Sequence, residues 1–312
     1  MQTIRLTALL ALALTAAAPL PPTWAANADD IAAMQKWQPA AEAGDAEAQF
    51  QLGQMYALGK GYSQSFDNAF AWYEKAAQQG NAKARTALGL LYHYGYGVKQ
   101  KDDNQARQWW EKAAAQKEAF AEQYLGFLAA ENKDYKQARE WLEQAGKQGR
   151  GEAITNIGIL YAEGYGVPKD MNEARKWYEK AASLKKPDAR AMFRLGKMYR
   201  DGDGIAQDDS KMREWLEKAS AAGSAAASFT LGQDYIQGEH GVAKDVQKAF
   251  AYMDKAFNQN ERYAALVLSG MYISGEGVKA DSAKGEELQK RFDDELYWQK
   301  RSLQLDLELL QD

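Results

Sequence analysis

Leu195-Gly196-Lys197-Met198-Tyr199, followed three and five residues later by Gly202 and Gly204, is the stretch on which the fold turns. It returns as Leu52-Gly53-Gln54-Met55-Tyr56, Leu88-Gly89-Leu90-Leu91-Tyr92, Ile157-Gly158-Ile159-Leu160-Tyr161 and Leu231-Gly232-Gln233-Asp234-Tyr235. Leu268-Ser269-Gly270-Met271-Tyr272 is a looser copy, and Leu125-Gly126 a weaker one. Successive anchors stand 36, 37, 32, 38, 36 and 37 residues apart. The leucine and tyrosine of each anchor lie four apart, so they share one face of a helix. A repeat of about 30 to 40 residues with alanine-rich, helical composition specifies a solenoid of helix–turn–helix units.

The surroundings of each anchor are equally regular. Small residues precede it, as at Ala46 and Ala48, Ala82 and Ala84, or Ala225 and Ala227, and they let helices approach closely. Paired glycines follow at Gly59/Gly61, Gly95/Gly97, Gly164/Gly166, Gly202/Gly204 and Gly275/Gly277, with one extra residue in Gly238/Gly241. Glycine there ends the first helix and admits positive φ. Val98, Val167, Ile205, Val242 and Val278 then re-enter the core. The second helix carries Ala69…Trp72-Tyr73-Glu74-Lys75-Ala76-Ala77, echoed at Ala106…Trp109-Trp110 and Ala174…Trp177-Tyr178, and in altered form at Trp141-Leu142, Trp215-Leu216 and Tyr252-Met253. The first aromatic, the alanine three before it and the alanine five after it are expected to form the packing stripe. Gly44, Gly80, Gly149 and Gly223 close units.

These residues resemble the Sel-one-like repeat family, a relative of the tetratricopeptide repeat, over about Ala40 to Lys290. The resemblance implies an all-α fold, a right-handed superhelical solenoid. Residues 26–44 are expected to cap the N-terminus as one helix, 45–284 to form seven units, and 285–312 to form a C-terminal capping helix bearing Leu288, Phe292, Leu296, Leu303, Leu307 and Leu310. Unit three lacks the glycine pair and has Lys133-Asp134-Tyr135 instead. In unit seven Glu286 is read at the place of the tryptophan.

In such a solenoid the first helices line the concave face. The resemblance implies that the residues five before, two before, two after and five after the anchor leucine point inward, a row stepping by three, four and three. Phe50, Leu90, His93, Phe127, Arg190, Phe193, Lys197, Arg200, Phe229 and Gln233 are the partner-binding candidates on that row. The same row in unit seven is Tyr263, Leu266, Gly270 and Ile273. Aromatics beside arginines have the composition of a protein-binding hot spot, and Arg190, Lys197 and Arg200 are expected to surround Phe193 and meet acidic groups of a partner. The alternative is that shallow curvature buries these phenylalanines between neighbouring first helices.

Composition narrows the function. The first residues carry Arg5, an uncharged apolar run from Leu6 to Ala18, then Pro19, Pro21 and Pro22, with small residues up to Ala25. That is the layout of a cleavable secretory signal peptide over residues 1–25, and places the protein in the periplasm or outside the cell. Thirteen apolar residues reach only about 20 Å as a helix, short of a bilayer core of about 30 Å, and no later run is a candidate integral membrane segment. The chain has no cysteine, hence no disulfide, thiol nucleophile or thiolate metal site. Its net charge of −4, without a basic block, makes nucleic acid a poor partner.

Chemistry is thin. His93 and His240 each stand near a glycine turn, far apart in repeat order. Asp201-Gly202-Asp203-Gly204 resembles the opening of a calcium loop but offers Ala206 and Met212 where that loop needs glycine and glutamate. No metal, cofactor or catalytic residue is expected. The reading is an exported scaffold that binds other proteins through its concave face and acts as a monomer. The alternative is a periplasmic immunity protein that neutralises a toxic effector, and the remote one a hydrolase.

Overall fold

The computed structural model describes residues 28–311, which form sixteen helices; no strand occurs among them. The signal peptide and its cleavage point after Ala25 lie outside the described residues. The chain is an all-α repeat superhelix of paired helices. The described residues divide into two compact bodies, one made of residues 28–150 together with 299–311, the other of Gly151–Trp298.

In the N-terminal body, α1 (Ala28–Glu42) precedes three helical pairs. These are α2 (Ala46–Leu58) with α3 (Phe66–Gln78), α4 (Ala82–Tyr94) with α5 (Asp103–Ala114), and α6 (Ala119–Glu131) with α7 (Tyr135–Lys147). The C-terminal body holds four pairs: α8 (Gly151–Glu163) with α9 (Met171–Ala182), α10 (Ala189–Asp201) with α11 (Asp209–Ala221), α12 (Ala225–Gln237) with α13 (Val246–Asn258), and α14 (Arg262–Ser274) with α15 (Ser282–Asp293). The last helix, α16 (Glu295–Leu309), begins in the C-terminal body and from Gln299 counts with the N-terminal one.

Local chemistry sets the helix ends. Second helices start on an Asp or Ser N-cap, as at Ser65, Asp102, Asp170, Asp208, Asp245 and Asp281, whose side chain accepts from an amide in the first turn. The N–H of each of these caps donates to the carbonyl of the anchor tyrosine, from Ser65 to Tyr56 at 2.9 Å through Asp281 to Tyr272 at 2.8 Å. The first glycine of each pair sits in the left-handed region at the end of the first helix; the second also has positive φ, and at Gly61, Gly97, Gly204 and Gly277 an added side chain would collide with its neighbours. A Cβ on Gly97 would lie 2.4 Å from the carbonyl oxygen of Phe66, and one on Gly277 2.4 Å from that of Val246. The turn thus rests against the start of the preceding unit's second helix. Unit three turns without glycine, with Lys133 alone carrying the positive φ.

The core shows why the anchor needs glycine. A Cβ on Gly53, Gly89 or Gly158 would run into the rings of Tyr73, Trp110 or Tyr178; Gly126, Gly196 and Gly232 likewise face Leu142, Leu216 and Met253. The expected packing stripe therefore shifts by one residue. The second member of each pair, and not the first tryptophan, is the buried one. Ala69, Tyr73 and Ala76 step by four and three, which keeps them on one face; Trp72 lies one residue off it and is only half-buried. Lysines cover the outer rings, at 3.9 Å for Lys75 over Trp72 and 4.8 Å for Lys180 over Trp177. In unit seven, counting from the Asp281 cap, the tryptophan place is taken by Leu288, not Glu286.

The expected C-terminal cap from residue 285 is two helices. Residues 282–293 complete unit seven, and the chain breaks at Asp294, which ends α15 with extended ψ and offers its carboxylate to the amide of Tyr297 at 2.9 Å.

Candidate protein-binding face

First helices set the inward row, and neighbouring first helices use part of it to hold each other. The Thr86 hydroxyl donates to the Glu118 carboxylate at 2.6 Å, and Thr155 makes the same bond to Asp188 at 2.7 Å. In both, the acceptor is the N-cap of the next unit's first helix. The Arg150 guanidinium donates to the Gln123 amide oxygen at 3.1 Å and lies 3.6 Å from the centre of the Phe120 ring. The positions five and two before the anchor are therefore partly structural.

In the N-terminal body the row is closed. Phe50, Gln54, Leu90 and Phe127 are buried. The Phe50 ring lies 5.9 Å from that of Tyr73, and Phe127 stands edge-on to Tyr124 at the same distance. His93 is half-buried, with Nδ1 2.7 Å from the Asp103 carboxylate and its ring beside Tyr94 and Trp110. Burial works to raise the Asp103 carboxyl, but the His93 hydrogen bond and charge outweigh it and hold Asp103 below its ordinary range. Burial pushes the nearby Glu131 carboxyl up, against the pull of His93 and Lys101. The expectation of an open groove at Phe50, Leu90, His93 and Phe127 is thus corrected. The same body contains residues 299–311, whose Leu303, Leu305, Leu307 and Leu310 are buried. The Gln54 amide donates to the Leu307 carbonyl at 3.0 Å, and the Tyr94 hydroxyl to Asp306 at 2.7 Å.

In the C-terminal body the row opens progressively. Arg190 is held by Glu152 at 2.6 Å. Arg200 and Lys197 both approach Asp201, at 2.9 and 3.9 Å. The three cations expected to await an acidic partner are each matched to a carboxylate of this chain. Phe193 and Phe229 are half-buried against the Leu216 and Leu268 clusters, while Lys197 and Gln233 are exposed. In unit seven the whole row is bare: Tyr263 is 60% exposed, Ile273 53% and Leu266 41%, and a Cβ on Gly270 would meet nothing. Sequence reasoning placed these four on the row but passed over them in choosing candidates. Their signal was apolar side chains at three of the four inward positions of one helix.

The histidines do turn chemistry. His240 Nδ1 lies 2.8 Å from Asp234, tying the widened turn of unit six to its first helix. No group of three or more metal-ligating side chains is found among the described residues.

The Sel1 repeat model matches residues 46–81, 82–118, 124–149, 151–186, 189–224, 225–261 and 262–288. Among solved structures, a Sel1 repeat protein from Oxalobacter formigenes is 32% identical with a TM-score of 0.62, over 74% of this chain and 97% of that one. A protective antigen of uropathogenic Escherichia coli strains with an SLR fold is 30% identical with a TM-score of 0.55, over 84% of this chain; the match spans 56% of that protein's length. An immunity protein from Pseudomonas aeruginosa is 21% identical with a TM-score of 0.40, over 82% of this chain and 83% of that one, a likeness too distant to bear on function. No curated protein matches. With seven matched units laid end to end over most of its length, the chain belongs to the Sel1 repeat family.

Proposed function

We propose that this chain is an exported, non-catalytic scaffold that captures a protein partner on the inward row of units five to seven. Sel1 repeats are scaffolds suited to protein–protein interaction. The observation that carries the reading is the bare row of unit seven. Tyr263, Leu266 and Ile273 stand exposed on one helix face, and the half-buried Phe229 and Phe193 occupy the same row in units six and five. An apolar row interrupted by Lys197 and Gln233 has the makeup of a binding surface with polar groups beside its anchors. Export is supported by the Leu6–Ala18 run and the prolines behind it.

A photo-cross-linking residue placed at Leu266 or Gln233 should trap a partner in cells, and the same residue at Lys176 on a second helix should not. Tyr263→Ser with Leu266→Ser should abolish the adduct while helical circular dichroism is kept. Trapping through Lys176 alone would mean that the wrong face has been assigned. Export is tested separately by N-terminal sequencing of protein from fractionated cells, with Ala26 expected as the first residue.

A further inference from the structure

We propose that the inward row of units one and two is a receptor groove for a leucine-rich helix, and that the chain's own residues 299–311 are its resident, competing occupant. The inference rests on the reading of the inward row as the binding face and extends it to the half of the protein where that row is filled.

The C-terminal segment is built like a ligand. Leu303, Leu307 and Leu310 step by four and three on one face, and all three are buried together with Leu305. None of residues 301–310 is exposed, although helix repeats already satisfy one another laterally and need no helix inside their groove. The groove meets the end of the helix at one backbone carbonyl and one side chain. The Gln54 amide donates to the Leu307 carbonyl, a last-turn carbonyl that also accepts from the Leu310 amide at 3.2 Å. The Lys60 ammonium lies 2.9 Å from Gln311, putting a cation at the negative end of the helix dipole. A second side chain is also held: Asp306 accepts from the Tyr94 hydroxyl. The ligand chemistry is therefore a helix with leucines at positions i, i+2, i+4 and i+7 and a carboxylate at i+3, enclosed on more than one side.

The fit is imperfect, as it is at a few places inside the repeats, such as the buried Tyr73 hydroxyl. Arg301 is buried with Nη1 lacking a hydrogen-bond partner, and Gln54 Oε1 is likewise unpaired. Orphaned buried polar groups weaken the docked state. A better-matched partner helix gains by replacing a resident that carries them. The resident's advantage is its tether, since a linked segment competes at an effective concentration on the order of mM. Just before it, Trp298 holds the chain by donating from Nε1 to the Arg291 carbonyl at 2.8 Å, so Gln299 is where a displaceable segment would start.

The test uses the full chain and a fluorescent peptide with the sequence of residues 299–312. Leu303→Asp with Leu307→Asp in the chain unseats the resident while leaving the groove intact. This variant should bind the peptide at least tenfold more tightly than the unaltered chain by fluorescence anisotropy. A peptide carrying the same two substitutions should not bind. Tyr94→Phe, a milder change, should weaken binding of the peptide to the unseated variant about threefold and speed amide exchange across residues 303–310 in the unaltered chain, with exchange in units five to seven unchanged. Equal peptide binding by the unaltered and unseated chains, or none by either with helicity retained, overturns the proposal. So does amide exchange across 303–310 as slow as in the core helices and unmoved by Tyr94→Phe. Cross-linking through Leu266 is unaffected by these outcomes, so loss of this inference leaves the reading of units five to seven standing, and the reverse also holds.

Discussion

Gly89→Ala and Gly270→Ala are the same chemical change at neighbouring positions of the anchor, one and two residues after its leucine, and they should move stability in opposite directions. Both glycines lie in helix interiors, where alanine is favoured by about 1 kcal/mol. At Gly270 nothing lies within 4 Å of the added methyl, so that gain should appear nearly whole. At Gly89 the new Cβ would stand 2.1 Å from Nε1 of Trp110 and 2.4 Å from its Cδ1. Trp110 is fully buried, donates Nε1–H to the Thr86 carbonyl at 3.1 Å and stacks on Tyr124 at 5.4 Å between ring centres. It has no room to retreat without breaking both. Overpacking costs about 1–3 kcal/mol, and an indole N–H left unpaired about 1–3 more. Set against the propensity gain, the net should be a loss of about 3 kcal/mol. Solenoids do not unfold as one unit, so urea denaturation should be followed by hydrogen exchange resolved by repeat. Units one to three should loosen in Gly89→Ala, and unit seven should tighten in Gly270→Ala. A Gly89→Ala protein as stable as the parent would refute the claim that ring-on-glycine contact determines the anchor.

Further outcomes are expected. Tyr178→Ala should cost about 3–5 kcal/mol, as for other large buried aromatics, and Trp177→Ala less than half as much, because only the former is fully buried; equal losses in thermal melts would restore the tryptophan to the core. Arg190→Ala takes a guanidinium from the buried Glu152 carboxylate and should cost about 1.5–3 kcal/mol, whereas the double change Arg190→Met with Glu152→Met should recover most of it; a defect in partner binding without a stability loss would make Arg190 a binding residue. Glu131→Gln should stabilise the protein at pH 7. Because burial raises the folded-state pKa of Glu131, ionising it opposes folding as pH rises from about 4.3, the ordinary glutamate value, through the raised one. The advantage of the glutamine variant should vanish below pH 4, and a benefit growing toward low pH would reverse the sign of that account.

Much of this was legible in the residues. The recurrence of Leu-Gly-x-x-Tyr required no tertiary knowledge to give unit length, helix pairing and turn placement, because glycine pairs and spacing of four encode local geometry. Which residue of Trp177-Tyr178 enters the core was not legible. Both aromatics fit an amphipathic helix, and one residue's rotation, 100°, decides burial. The row candidates were placed by position alone. Their exposure depended on partners far along the chain: Asp188 for Thr155, Glu152 for Arg190, Leu307 for Gln54.

The sequence by itself determined the unit, its count and the absence of thiol chemistry, since these depend only on residues within one repeat or on composition. Tertiary structure alone decided that the inward row is filled in units one to three and bare in unit seven. Leu303, Leu307 and Leu310 read as an end cap for the last repeat, the nearest apolar surface along the chain. They are buried instead with the first repeats some 250 residues away, as the Gln54–Leu307 separation of 253 shows. An amphipathic helix specifies that it must bury its leucines but not against which surface, and that choice is made only when the whole chain is folded.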